Sequence, residues 1–85
     1  MTSRRAVGAY LNDGVPTGRA NQQRIVNWCS SNGVELIANH PVPQMDSLVD
    51  AIREDSQYAN LIVLAGWEDF SEDVGFELGL PVQNV

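Results

Sequence analysis

Six residues of this 85-residue chain fall where strand-like segments give way to turns, and their types could do chemistry: Asn12, Asp13, His40, Trp67, Glu68 and Asp69. Hard divalent cations take oxygen ligands, so Asp13, Glu68 and Asp69 gathered at strand ends would suit Mg²⁺ or another small cation. The chain has no lysine to stand beside them. The same acids have a structural reading. Glu68 and Asp69 fall in the expected first turn of a helix, where the dipole favours negative charge, and Asp13 precedes Gly14 in a turn. An unperturbed imidazole has its pKa near neutrality, so His40 could act as a base, but no Ser or Cys has a motif to partner it, and its plain reading is a loop histidine.

Other constellations are incomplete. Gly14-Val-Pro-Thr-Gly18 lies between a strand and a helix, where phosphate loops occur, yet it lacks their Gly-Lys-Ser/Thr ending. Cys29 is the only cysteine and His40 the only histidine, which leaves neither an internal disulfide nor a zinc ligand set and points to a reducing cytoplasm. Trp28 sits on an apolar helical face and reads as core. Trp67, beside charged neighbours, reads as an exposed anchor. Glu72, Asp73 and Glu77 make one face of a helix acidic, which serves as a solvated face, as a recognition surface for a basic protein, or as a mimic of DNA phosphate.

The elements that must position these residues follow from apolar periodicity. Ala6 to Leu11 reads as a strand, Asn12 to Gly18 as a loop, and Arg19 to Asn32 as a helix with Ile25, Trp28 and Cys29 on one face and Gly33 as its stop. Val34 to Asn39 reads as a second strand and His40 to Pro43 as a loop. Met45, Leu48, Val49 and Ile52 define an amphipathic helix capped by Asp46 or Ser47, with Asp50 placed as in a capping box. Asn60 to Ala65 is a third strand, apolar on both faces as in a covered parallel sheet. Trp67 to Leu78 reads as a third helix with Phe70, Val74 and Leu78 inward, broken by Gly79 before a last strand in Pro81 to Val85. The βαβαβαβ order implies a Rossmann-like three-layer α/β fold: four parallel strands, expected order 2-1-3-4, with three helices, as one domain over residues 1–85.

Composition narrows the function classes. Apolar residues at 44% and charged residues at 19% suit a folded unit. No apolar run reaches the roughly 18 residues of a membrane span, and the start is too short and strand-like for a secretory signal. Net charge is −6, with five arginines against eleven acids; residues 1–45 carry +2 and residues 46–85 carry −8. That acidic half would repel a phosphate backbone, which excludes direct nucleic-acid binding as the expected role. Arginine without lysine fits a GC-rich coding genome.

Taken together, from about Ala6 to Val85, these segments resemble the first half of the catalytic domain of serine recombinases and large serine integrases. Ala6-Val-Gly8 resembles the opening strand, Gln23-Arg-Ile25 with Trp28 and Asn32-Gly-Val-Glu-Leu36 the first helix and second strand, Leu48 to Arg53 the second helix, and Leu61 to Ser71 the third strand and its turn. In that family an Arg-Val-Ser sequence ends the first strand, the serine attacking the DNA phosphodiester while the arginine holds the phosphate. Here the positions read Leu11-Asn12-Asp13. The family's Asp-Arg-Leu-Ser-Arg signature reads Glu68-Asp69-Phe70-Ser71-Glu72, with both arginines replaced by acids. A carboxylate cannot replace the nucleophilic hydroxyl, nor leucine neutralise a phosphate. The resemblance therefore implies a catalytically inactive, cofactor-free phage or mobile-element protein that works by protein contact in a bacterial cytoplasm.

One expectation concerns the surface. In order 2-1-3-4, right-handed crossovers put the first helix on one face and the other two on the opposite face. Apolar surface of the third strand on the single-helix side would then be left uncovered, inviting a homodimer or a protein partner.

Overall fold

The chain runs β1 (Arg5–Leu11), α1 (Thr17–Ser31), β2 (Glu35–Val42), a 3₁₀ turn (Met45–Ser47), α2 (Leu48–Ser56), β3 (Leu61–Ala65), α3 (Ser71–Leu78) and β4 (Val82–Asn84). The computed structural model describes residues 4–67 and 71–85, without the side chains of Met45, Ser71 and Glu72. All strand pairs are parallel, in the order β2-β1-β3-β4. This is a small Rossmann-like α/β fold, as the alternation of periodicities predicts.

Strand alternation divides the core into two layers. Val7, Ala9, Ile62 and Leu64 face Leu48 and Ile52 of α2 and Val74 of α3. On the other side Ala6, Tyr10, Leu61, Val63 and Ala65 face Ile25 and Cys29 of α1. Among the large side chains wholly removed from water are Ile25, Leu48, Ile52, Ile62 and Leu64, each contributing about 1.5–3 kcal/mol of burial. β3 is buried at every position, which is why its sequence is apolar on both faces. α1 stops where Gly33 takes φ +65° and the Val34 N–H donates to Cys29 O at 2.9 Å, the glycine-terminated closure its sequence forecasts.

Several boundaries depart from the sequence reading. β2 continues past Asn39 to Val42, so His40 and Pro41 belong to a strand instead of a loop. An edge strand tolerates a proline that an inner strand would reject. Pairing shifts between Ala6↔Leu36 and Val7↔Ala38, leaving Ile37 as an extra residue that reverses the facing of everything after it. α1 starts at Thr17, two residues ahead of Arg19. The capping box expected at α2 does not form: Ser47 is at φ −93°, ψ −5° and makes no side-chain cap bond. The 3₁₀ turn already holds this residue in helical conformation, whereas a capping side chain needs an extended one. α3 is described from Ser71, and Phe70 lies outside the described residues.

The uncovered patch expected on the α1 side of β3 is also corrected. Leu61, Val63 and Ala65 are all buried. Trp28, Leu36 and Val85 pack around this cluster, and the Val85 N–H donates to Leu64 O at 2.9 Å. The residue following β4 thus continues the ladder on β3, and its side chain adds cover beside that of α1. Among the described residues, no helix is long and apolar enough to cross a membrane.

Candidate functional site

In a 2-1-3-4 sheet the chain leaves β1 toward one edge and β3 toward the other, so a crevice opens between their carboxyl ends, the usual ligand position in such sheets. Asn12 and Asp13 follow β1 here and are exposed. The Asn12 N–H donates to Val42 O at 2.9 Å, tying the β1 exit to the end of β2. The side chain of Asn12 also closes on Gly18, where any Cβ would collide with its amide oxygen. Glu68 and Asp69, which the sequence reading adds to this cluster, lie outside the described residues.

Of the residues expected at the strand ends, His40 is elsewhere, and Trp67 is there but buried. His40 sits two positions before the end of β2, opposite Ala9, on the α2-facing side. Its Nε2 lies 2.5 Å from Asp55 Oδ2. The bulge at Ile37 turns it there, an extra residue with no local signature. Trp67 is 7% exposed and packs with Ala9, Leu48 and Val74, so it is core and not a surface anchor. Its indole N–H donates to Ala9 O at 3.2 Å, which satisfies the one polar atom that would otherwise hold a tryptophan at the surface. Trp28 is only half-buried, with the Arg4 guanidinium 5.9 Å from its ring centre.

Residues that the sequence reading passed over do meet at the crevice. Gly66, directly after β3, takes φ +89°. A Cβ there would lie 2.8 Å from both Asn21 Nδ2 and Leu11 Cβ, so only glycine lets the exit of β3 approach α1 and β1 this closely. Asn21 is 5% exposed. Its Nδ2 donates to Leu11 O at 3.0 Å, and its Oδ1 accepts from Arg24 Nη1 at 3.3 Å. Arg24, Gly66, Trp67, Asn84 and Val85 line a cavity of about 260 Å³. Asn21 and Arg24, three residues apart on α1, were the available signal.

The acidic face of α3 is interrupted. Asp73 is exposed, but Glu77 accepts a hydrogen bond from Arg53 Nη2 at 3.2 Å. Arg53 Nε also lies 4.0 Å from Asp50, so this arginine of α2 offsets charge on both helices. Phe76, which the sequence reading did not single out, projects from the same helix and is 92% exposed. Its position, two residues after inward Val74, turns it to the opposite side of α3.

Among the described residues, no three His, Cys, Asp or Glu side chains converge on a point that would hold a metal ion. Cys29 is enclosed beside Ile25, and burial pushes its thiol pKa up, away from the reactive thiolate. The features present define a small parallel α/β domain with a switch-point crevice and an aromatic residue standing on an acidic helix. No family model, curated protein or solved structure matches this chain.

Proposed function

We propose that this chain is a non-enzymatic protein-interaction module with a serine-integrase-like fold, lacking the catalytic serine and arginines of that family. In this reading it is encoded by a phage or mobile element and acts in the bacterial cytoplasm on a host protein or a related recombinase. The observation that carries the reading is Phe76, 92% exposed on α3 with Asp73 exposed one turn before it. Leaving a phenylalanine in water forgoes about 1.5–3 kcal/mol that its burial would contribute. Aromatic side chains ringed by polar residues are the usual anchors of protein interfaces. Acidic neighbours select a partner with basic groups around an apolar hollow.

The reading is tested by immobilising the protein and a Phe76→Ser variant and passing host lysate and a purified related recombinase over each. Retention by the wild type that is lost both in the variant and at high salt supports an aromatic anchor with an acidic rim. Equal retention by the two proteins removes Phe76 from the interface and ends this reading. The DNA-mimic alternative makes a different forecast: DNA-binding proteins are captured, displaced by duplex DNA, and indifferent to Phe76. The Arg53–Glu77 pair weighs against it, because a phosphate mimic needs its acids unpaired.

A further inference from the structure

Asn21 works as a keystone at the carboxyl end of the sheet. Its amide nitrogen is committed to Leu11 O at 3.0 Å, which fixes the flip of the amide and turns Oδ1 toward Arg24. Arg24 is exposed, but its Nη1 donates to that oxygen at 3.3 Å, which ties the guanidinium to a 5%-exposed partner. The cavity it borders, with Gly66, Trp67, Asn84 and Val85, lies beside the crevice between β1 and β3.

Among the described residues Arg4, Arg19 and Arg24 are all without an acid partner, and what sets Arg24 apart is its hydrogen bond to a buried side chain. Arg5 is on Glu35 at 3.2 Å, and Arg53 bridges Asp50 and Glu77. Arg24 has no carboxylate within 4.0 Å among the described residues, in a chain where acids outnumber arginines by eleven to five. Among the described residues only Nη1 is engaged, which leaves the Nε and Nη2 edge with the parallel donors that grip a carboxylate or phosphate in bidentate fashion. A fixed guanidinium repels cations and gains little from a neutral group.

We propose that this cavity is a binding site for a small molecule carrying an oxyanion, a phosphate or carboxylate group, with Arg24 as its charged donor and Asn21 as the residue that positions Arg24. At about 260 Å³ the space suits a compact metabolite, being below the roughly 300–1,000 Å³ of drug-sized sites. The site is separate from the Phe76 surface on α3, and either can fail without the other.

The test is a titration of ¹⁵N-labelled protein followed by proton–nitrogen correlation spectra, with inorganic phosphate, with acetate, and with sodium chloride at matched ionic strength. The expected result is saturable shifts at Arg24 Nε–H and at the Gly66 and Val85 amides with phosphate or acetate, absent with chloride. The tighter of the two anions identifies the ligand class. Arg24→Gln is expected to weaken binding at least about tenfold, the loss of a charge-assisted bidentate contact. Asn84→Asp, which adds a negative charge to the cavity lining, is expected to weaken it as well and keeps the test open should Arg24→Gln fold poorly. Shifts spread equally over all arginines, shifts reproduced by chloride, or binding unaltered in both variants would each overturn the proposal.

Discussion

His40 Nε2 and Asp55 Oδ2 stand 2.5 Å apart, joining the edge strand β2 to α2. Each side chain is about one-third exposed, at 33% and 35%, so this contact sits at the rim of the α2 layer. It also withdraws the only histidine from the strand-end crevice. A base reserved for catalysis would be expected to face that crevice, whereas this one staples an edge strand to the helix that covers it.

A double-mutant cycle measures that staple. His40→Ala and Asp55→Ala are each expected to lower stability by about 1 kcal/mol, with a coupling energy of about 0.5–1.5 kcal/mol between them. Urea denaturation of the four proteins gives the value. Strictly additive losses would mean that the pair contributes nothing to holding β2.

The contrast between β3 and β2 explains what the sequence made legible. β3 is five apolar residues buried on both faces, and that local pattern alone announces a central parallel strand. The order β2-β1-β3-β4 then follows from connection rules. Pro41 reads as a loop residue and so shortens β2, and the bulge at Ile37 has no local signature; both depend on pairing with β1. Trp67 was misplaced for a similar reason. Its burial needs an acceptor for the indole N–H, and that acceptor, Ala9 O, lies 58 residues earlier. Asp13 was visible from its position after an apolar strand, but the Asn21–Arg24–Gly66 cluster is assembled by close approach of three elements and so was not.

Gly66 and Gly33 separate two costs of adding a methyl group. Both have positive φ, at +89° and +65°, but a Cβ at Gly33 meets nothing within 4 Å, whereas one at Gly66 meets Asn21 and Leu11. Gly33→Ala is expected to cost about 1–2 kcal/mol, the backbone term alone. Gly66→Ala should cost about 1–3 kcal/mol more from overpacking. Thermal or urea unfolding of the two variants provides the comparison, and equal losses would mean that the crevice is looser than the distances indicate.

Trp67 is the more protected of the two tryptophans. In a Trp28→Phe background, the remaining fluorescence is expected to be quenched by acrylamide far less in the folded protein than in urea. Trp67→Phe removes the indole bond to Ala9 O and part of the buried ring, a loss of about 1–3 kcal/mol. Quenching of folded Trp67 at the unfolded rate would return it to the surface and undo its assignment to the core.

Phe76 should be almost silent in folding. At 92% exposure its replacement by serine removes little packing, and stability is expected to change by no more than about 0.5 kcal/mol. Matching unfolding curves for wild type and variant would establish that any loss of partner binding reflects the surface and not the fold. A large destabilisation would mean that the side chain packs against something in solution.

Cys29 links stability to pH through its burial. Loss of water around the side chain, 3% exposed, pushes the thiol pKa up, because the thiolate is the form that suffers from desolvation. In the unfolded chain the thiol has its ordinary pKa of 9.0. Below that pH both states hold the proton and this group has no leverage. Above it the unfolded chain gains by ionising while the folded chain does not, so stability falls as pH rises until the folded thiol titrates too. Denaturation midpoints at about pH 7 and about pH 10 should therefore drop further in the wild type than in Cys29→Ala, with a slope difference of at most about 1.4 kcal/mol per pH unit. Equal drops in the two proteins would assign the alkaline loss to other groups and show that the Cys29 thiol ionises as readily in the folded chain as in the unfolded one.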